Sequence, residues 1–180
     1  MTGPAAGAPA AFLDRDGVLN VDLGYVHRPE DLRLTPTAAA AVSELNRRGY
    51  RVVVVTNQSG VARGLFGTAE VERFHAHMAE RLAAEGARID AFYYCPYHAD
   101  GTVPDFARAH DDRKPGPGMI LRAMRDHAIP AEGSFLVGDK ASDMAAAAAA
   151  GIPGLRVPAD VPDLLGEITR FLDDAGARIA

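Results

Sequence analysis

The sequence predicts an α/β fold, a doubly wound, Rossmann-like parallel sheet with helices on both faces. Short apolar runs alternate with longer amphipathic stretches along the 180 residues, and this alternation is typical of parallel sheets. Residues 52–55 are four consecutive valines, which indicates a strand buried on both faces. Three of the predicted helices end at a glycine, as helices commonly do: Gly49, Gly86 and Gly151.

The predicted elements alternate in order along the chain. The strands are expected at residues 11–13, 51–56, 91–94, 134–137 and 155–157. The helices are expected at residues 37–48, 68–85, about 117–127 and 142–150, with a last helix after Pro162. Residues 1–10 are Ala, Gly and Pro without a pattern, so we expect a loose tail followed by a single domain at residues 11–180.

Composition excludes some classes of function. The 19 basic residues against 24 acidic ones, a net charge of -5, argue against a nucleic-acid partner bound over a broad basic face. One cysteine excludes an intrachain disulfide and a four-cysteine zinc site. The N-terminus lacks a basic leader before an apolar stretch, and no window is apolar for long enough to span a bilayer. We therefore expect a cytoplasmic protein with no membrane partner.

Two carboxylates follow the first predicted strand. Asp14 and Asp16 stand at i and i+2 and so point the same way, into the crevice where doubly wound sheets bind ligands. Like charges this close need a metal or a shared proton, and oxygen ligands suit Mg²⁺. Gly17 permits a sharp turn. Taken alone, the motif fits a surface turn equally well.

Other predicted strands end in polar groups that could complete a site. Thr56 could hold a phosphoryl group or simply cap a helix, and Arg113-Lys114 could bind phosphate oxygens or simply face solvent. Asp139 follows the fourth strand and could reach the same metal. Four strand ends at one edge of one sheet thus supply an acid pair, a hydroxyl, cations and a further acid. This combination favours a catalytic site over four unrelated loops.

The segments FLDRDGVLN, VVVTNQSG, RKPGPGM and VGDKASDM resemble the four motifs of the haloacid dehalogenase-type (HAD) phosphatase superfamily. DRDGVLNVDLGYVH, TNQSGVARG, YYCP and DDRKPGPG are similar, more narrowly, to heptose 1,7-bisphosphate and histidinol-phosphate phosphatases. The resemblance implies that Asp14 is the nucleophile and Asp16 the general acid and base. It implies that Thr56 and Lys114 bind the phosphoryl group, and that Asp14, the Asp16 backbone carbonyl and Asp139 hold Mg²⁺.

The spaces between the motifs are too short for an inserted cap domain, so we expect a capless enzyme whose loops select the substrate. The candidate substrate-binding residues are Asp22, Tyr25, His27, Asn57, Arg113 and Lys140. Arg113 could hold a second anionic group of a bisphosphorylated sugar, whereas His27 is equally well explained as a loop residue with no ligand role.

The chain departs from the resemblance at the loop where relatives carry a structural zinc site. Cys95 keeps its place, but Tyr97 stands where the relatives have histidine. Cys95, His98, His110 and Asp112 form a chemically acceptable zinc set. Because three of the four positions have changed, we expect the loop to be held by packing and hydrogen bonds, without zinc.

The resemblance implies a Mg²⁺-dependent phosphatase that removes the 7-phosphate of D-glycero-D-manno-heptose 1,7-bisphosphate through an aspartyl-phosphate. The alternative is a histidinol-phosphate phosphatase, or a phosphatase for another small phosphomonoester, since the catalytic motifs are shared. A catalytically silent sugar-phosphate-binding protein is a third interpretation, and the presence of every expected catalytic residue argues against it. We expect a monomer.

Overall fold

The structure, a computed structural model, describes residues 4, 5 and 7–177 and forms a five-stranded parallel sheet. The strands are β1 (Ala10–Leu13), β2 (Arg51–Asn57), β3 (Ala91–Cys95), β4 (Phe135–Gly138) and β5 (Gly154–Arg156). Their order across the sheet is β3-β2-β1-β4-β5, so the chain leaves β1 towards one edge and later returns to build the other. This doubly wound order confirms the predicted fold class.

Helices cover both faces of the sheet. They are α1 (Ala38–Arg47), α2 (Thr68–Ala84), α3 (Gly118–Asp126), α4 (Ala141–Ala149) and α5 (Leu164–Ala177), with a short 3-10 turn at Pro29–Asp31. One core lies between the sheet and α1, α2 and α5, and the other lies between the sheet and α3 and α4. Val52 and Val54 enter the first core, and Val53 and Val55 enter the second. The four valines therefore form the two-sided strand that the sequence predicts.

Several boundaries differ by one residue from those predicted. β1 begins at Ala10, which pairs with Arg51 and donates its backbone N–H to Ser134 Oγ over 2.9 Å, so the predicted tail ends one residue too late. Ser134 precedes β4 because its own N–H is used in a turn, by Ala131 O. Residues 1–3 and 6 of the tail and 178–180 of the domain lie outside the described residues.

The described residues contain no inserted cap domain. β1 and α1 are joined by a loop with the single 3-10 turn, and β2 and β3 by a loop and α2. The loops at the carboxyl ends of the strands, including the long segment between β3 and α3, therefore surround any site at that edge.

Within the described residues, no helix is both long enough and apolar enough to cross a membrane.

Candidate active site

The carboxyl ends of β1, β2 and β4 and the start of α4 meet at one small polar cavity. Its lining residues are Asp14, Asp16, Thr56, Asn57, Lys114, Lys140, Ser142 and Asp143. A larger cavity of about 510 Å³ runs along the outer edge of β3 and includes none of the carboxylates that follow β1 and β4. The small cavity, unlike the larger one, brings acidic and basic side chains from several strand ends together, and it is therefore the candidate active site.

Lys114 lies at the centre of the cavity and is almost fully buried. Its Nζ is 2.9 Å from Asp14 Oδ1 and 2.7 Å from Asp143 Oδ1, and it donates to Val55 O over 2.9 Å. All three of its hydrogens thus have an acceptor within reach. The ammonium group is fixed between two carboxylates, one directly after β1 and the other in the first turn of α4.

The pKa values of Asp14 and Lys114 are both raised in this environment. Burial, with the neighbouring Asp143 charge, raises the pKa of Asp14 from 3.8 to about 6, although Lys114 opposes the shift. Burial would lower the pKa of Lys114, but the charges of Asp14 and Asp143 outweigh it and raise the pKa. The ammonium therefore stays charged, while Asp14 carries its negative charge at a cost.

Three carboxylates meet at the cavity: Asp14, Asp139 and Asp143. Each has one oxygen within 4.8 Å of an oxygen of both others. Asp139 Oδ1 is buried and has no hydrogen-bond partner among the described residues. The three carboxylates face two ammonium groups, the buried one of Lys114 and that of Lys140, which lies 3.9 Å from Asp139 Oδ2, so a net negative charge remains. A buried carboxylate oxygen without a partner is also costly. The donor set therefore fits a hard cation that prefers oxygen, such as Mg²⁺.

Gly17 lets the loop after β1 approach this cluster. Its backbone has a φ of +85°, and a Cβ built on it would lie 2.9 Å from Asp139 Oδ2. Any side chain here would be strained twice, by the backbone and by the carboxylate. The sequence prediction of a sharp turn at Gly17 is confirmed.

The Asp16 carboxylate is held at both oxygens. Oδ1 accepts hydrogen bonds from Arg15 Nε and Asn20 Nδ2, and Oδ2 accepts from Arg15 Nη2 and Gln58 Nε2, all at 3.0–3.1 Å. Burial would raise the pKa of Asp16, but the charge and hydrogen bonds of Arg15, with those of Asn20 and Gln58, outweigh it and lower the pKa. Sequence reasoning missed all three of these donors.

The end of β2 supports the cavity from the other side. Thr56 Oγ1 accepts a hydrogen bond from Gln58 Nε2 over 2.9 Å and lines the cavity. The Asn57 amide donates to Lys114 O and accepts from Lys114 N, both at 3.0 Å. Both polar ends of Asn57, predicted to contact substrate, are therefore engaged with the main chain of the catalytic lysine candidate.

The other predicted substrate-binding residues lie further out. Lys140 lines the cavity, is half exposed and contacts Asp22 Oδ2 at 3.4 Å. Tyr25 is exposed, and its carbonyl lies 2.8 Å from His27 Nδ1. The His27 ring stacks on Phe66 at 4.5 Å, which supports the loop interpretation of this histidine.

The structure does not bring the four zinc candidates together. The His110 ring stacks on Tyr97 at 4.3 Å, and Asp112 forms a 2.7 Å ion pair with Arg122. His98 Nδ1 accepts the Asp100 N–H instead, and Cys95 is buried. The one group of His, Cys, Asp or Glu side chains with metal-binding spacing in the described part of the chain is the carboxylate cluster at the site.

Asp143 is the main residue of the site that the sequence interpretation left out. It is fully buried, and its Oδ2 accepts the Lys140 N–H over 2.9 Å, which caps α4. Its Oδ1 meets Lys114. The available signal was its spacing, four residues after Asp139 at the start of a predicted helix, which an ordinary capping residue would also explain.

The chain is similar in sequence to known proteins. A HAD-hydrolase-like family model matches residues 112–165. A Rhodopseudomonas palustris protein named D-glycero-beta-D-manno-heptose-1,7-bisphosphate 7-phosphatase is 50% identical over 156 residues, 87% of each chain. The protein of that name from Escherichia coli K12 is 45% identical over 148 residues, 82% of this chain and 78% of its own.

Solved structures show the same architecture. A putative HAD-like phosphatase from Mesorhizobium loti matches with a TM-score of 0.81 and 37% identity, over 94% of this chain and 90% of its own. The D,D-heptose 1,7-bisphosphate phosphatase from B. bronchiseptica, complexed with magnesium and phosphate, matches with a TM-score of 0.79 and 31% identity. That match covers 92% of this chain and 99% of the other.

Proposed function

The chain belongs to the HAD phosphatase superfamily, among the heptose-1,7-bisphosphate 7-phosphatases, and from this we propose that it removes the 7-phosphate of D-glycero-D-manno-heptose 1,7-bisphosphate. The observation that carries the proposal is the Asp14–Lys114 pair beside two further carboxylates, at a strand end with the family's motifs. The names of the relatives specify the β anomer, which we take as the first substrate to test. We also infer a cytoplasmic, monomeric enzyme.

Asp14 is the proposed nucleophile. Lys114 Nζ and the Arg15 N–H both contact Oδ1, so we assign the attack on phosphorus to Oδ2. A bond forms between this oxygen and phosphorus as the bond from phosphorus to the sugar oxygen breaks, leaving an aspartyl-phosphate. Lys114 stays charged throughout and offsets the negative charge on the transferring group.

Asp16 is the proposed general acid and base. Its pKa is lowered in the free site, and the approach of a phosphomonoester dianion would raise its proton affinity, so Asp16 takes up one proton from solvent as the substrate binds. Asp16 gives its proton to the leaving sugar oxygen, then takes one from the water that attacks the aspartyl-phosphate. Release of inorganic phosphate restores Asp14. Thr56, which lines the same cavity, is assigned to the phosphoryl oxygens.

We assign Mg²⁺ to the Asp14 and Asp139 carboxylates and the Asp16 backbone carbonyl, with Asp143 beside them. When bound, the ion supplies positive charge for the phosphoryl oxygens and for the carboxylate cluster. The unpartnered Asp139 Oδ1 and the surplus of negative charge support this assignment.

Arg113 is the proposed contact for a second anionic group of the substrate. Its Nη1 is buried and has no hydrogen-bond partner among residues 4, 5 and 7–177. A buried guanidinium nitrogen without a partner is costly, and a phosphate oxygen would satisfy it. Lys140, half exposed at the cavity rim, supplies a second cation.

Kinetics on two substrates test the proposed function. We expect kcat/KM for the heptose bisphosphate to exceed that for histidinol phosphate by at least about 10²-fold, since a site built for a second anion rejects a substrate lacking it. Asp14→Asn, purified in parallel, controls for contaminating phosphatase. A higher value for histidinol phosphate would select the alternative enzyme. Failure to hydrolyse any of a broad phosphate panel in Mg²⁺ would select the silent binding protein.

Gly17→Ala is expected to weaken Mg²⁺ binding, because the new Cβ would press on Asp139. The Mg²⁺ concentration for half-maximal activity should rise about tenfold or more, as for other changes that displace a metal ligand. Gly49→Ala is the matched control, since its φ of +84° is nearly the same and a Cβ there would meet no heavy atom within 4 Å. Equal Mg²⁺ dependence in the two variants would remove Asp139 from the metal site.

A further inference from the structure

Arg15, between the two catalytic carboxylate candidates, is completely buried. Its Nε donates to Asp16 Oδ1 over 3.1 Å, and its Nη2 donates to Asp16 Oδ2 over 3.0 Å. This two-point contact fixes the plane of the carboxylate as well as its position. Asp16 lines the cavity, so the contact sets how its oxygens face a bound substrate.

The rest of the guanidinium is held by distant parts of the chain. Nη2 also donates to Val26 O over 2.7 Å, and the group lies 4.6 Å above the Phe74 ring. Nη1 faces His75 Nε2 at 3.3 Å. Arginine can only donate, so His75 Nε2 must be the unprotonated acceptor.

His75 is suited to this acceptor role. It is buried on α2, and its ring stacks on Phe92 at 4.6 Å, which fixes the direction of Nε2. Burial, with the neighbouring Arg15 charge, lowers the pKa of His75 to about 3, so the ring is neutral. The proposed catalytic steps do not use this histidine.

We propose that Arg15 and His75 are positioning residues, which hold Asp16 in the orientation that delivers its proton to the leaving oxygen. The inference rests on the proposed general-acid role of Asp16. Asn20 and Gln58 bind one Asp16 oxygen each, whereas Arg15 binds both. His75 in turn anchors Arg15 to α2, 60 residues away in the chain.

The proposal predicts an effect that depends on the leaving group. An alkoxide needs a proton as it leaves, whereas p-nitrophenolate is stable without one. The quantity kcat/KM covers only the steps up to formation of the aspartyl-phosphate, so activation of water does not enter it. Loss of Asp16 orientation should therefore lower kcat/KM for an alkyl phosphate far more than for an aryl phosphate.

The test compares glycerol 2-phosphate with p-nitrophenyl phosphate, neither of which contains a heptose. His75→Phe keeps the ring stack but removes the acceptor, and we expect the alkyl-to-aryl ratio of kcat/KM to fall by about tenfold or more. His75→Gln keeps an acceptor near Nε2 and should restore the ratio to within about threefold of wild type. His77→Phe is the matched control. His77 is two residues further along the same helix, so its side chain leaves the helix on a different side from His75, and the ratio should stay unchanged.

A fall of both kcat/KM values by the same factor in His75→Phe would overturn the proposal and leave His75 a structural role only. If circular dichroism shows that this variant does not fold, Arg15→Lys, which keeps the buried charge but loses the fork, carries the same comparison. Asp16→Asn distinguishes failure of the proposed general-acid role of Asp16 from failure of the positioning role of Arg15 and His75. If it shows no selective loss, the general-acid role fails and the inference with it, whereas selective loss in Asp16→Asn alone overturns only the positioning role.

Discussion

Asp14→Asn is expected to abolish turnover and, at the same time, to stabilise the metal-free protein. Removal of the proposed nucleophile should lower kcat by on the order of 10⁴ or more. Burial raises the pKa of the native Asp14 carboxyl from 3.8 to about 6. At neutral pH, ionisation of Asp14 therefore costs more free energy in the folded protein than in the unfolded chain. The amide removes that cost, and Lys114 is not left unpaired because it keeps its 2.7 Å contact with the Asp143 carboxylate.

The sign of the pH dependence follows from the raised pKa of Asp14. Between about pH 4 and pH 6 the folded state binds a proton that the unfolded state releases, so this group's contribution to stability falls as pH rises. The advantage of Asp14→Asn over wild type should therefore grow across that range and level off above it. Its size at neutral pH is on the order of 3 kcal/mol, or several degrees in melting temperature.

Thermal unfolding in chelator at pH 4, 5, 6 and 7.5 measures this difference, with phosphate release as the assay of turnover. Asp16→Asn is the matched control: its native pKa is lowered, so its charge stabilises the fold at neutral pH and its loss should lower the melting temperature. Turnover near the wild-type level in Asp14→Asn would remove Asp14 from the nucleophile role. A lower melting temperature at pH 7.5 would contradict the cost assigned to its charge.

Lys114→Met is expected to cost both activity and stability. The variant loses the charge that we assign to the transferring phosphoryl group, and this loss should lower kcat/KM by about 10²–10³-fold. It also leaves the carboxylates of Asp14 and Asp143 buried without the ammonium 2.9 and 2.7 Å away. Breaking a buried ion pair from one side typically costs about 3–5 kcal/mol.

Chemical denaturation in chelator tests the stability loss, and steady-state kinetics in Mg²⁺ tests the activity. Lys140→Met is the stability control, because this lysine is 54% exposed and its 3.4 Å contact with Asp22 lies at the surface. A surface pair of this kind contributes about 1 kcal/mol or less. Equal losses of unfolding free energy in the two variants would show that burial of Lys114 does not increase the contribution of its ion pairs to stability.

Much of the site could be predicted from the order of residues along the chain. Asp14, Thr56 and Asp139 each follow a run of apolar residues, and the carboxyl ends of parallel strands meet at one edge. Lys114 joins them although it follows no strand directly, and it was found through the Arg-Lys-Pro motif. Local pattern and motif together were sufficient because each of these side chains is placed by its own segment.

The supporting residues could not be predicted in this way. By local pattern alone, Gln58 fits a turn after a strand, Asp143 fits a helix cap, and His75 fits any polar position on an amphipathic helix. Each acquires its role from a partner far away in the chain: Gln58 from Asp16, Asp143 from Lys114, and His75 from Arg15. No periodicity or spacing encodes such pairs.

The sequence alone determined the fold class, the edge of the sheet at which the site lies and three of the carboxylates that meet there, Asp14, Asp16 and Asp139. The spacing of apolar residues and the positions of strand ends are local properties of the chain, so they can be predicted without knowing how the segments pack. Only the tertiary structure decided how the charges are balanced: Lys114 lies between Asp14 and Asp143, and Arg15 holds both oxygens of Asp16. It also decided that the four zinc candidates do not form one metal-binding group. Electrostatic balance depends on distances between segments that are remote in sequence, and packing alone sets those distances.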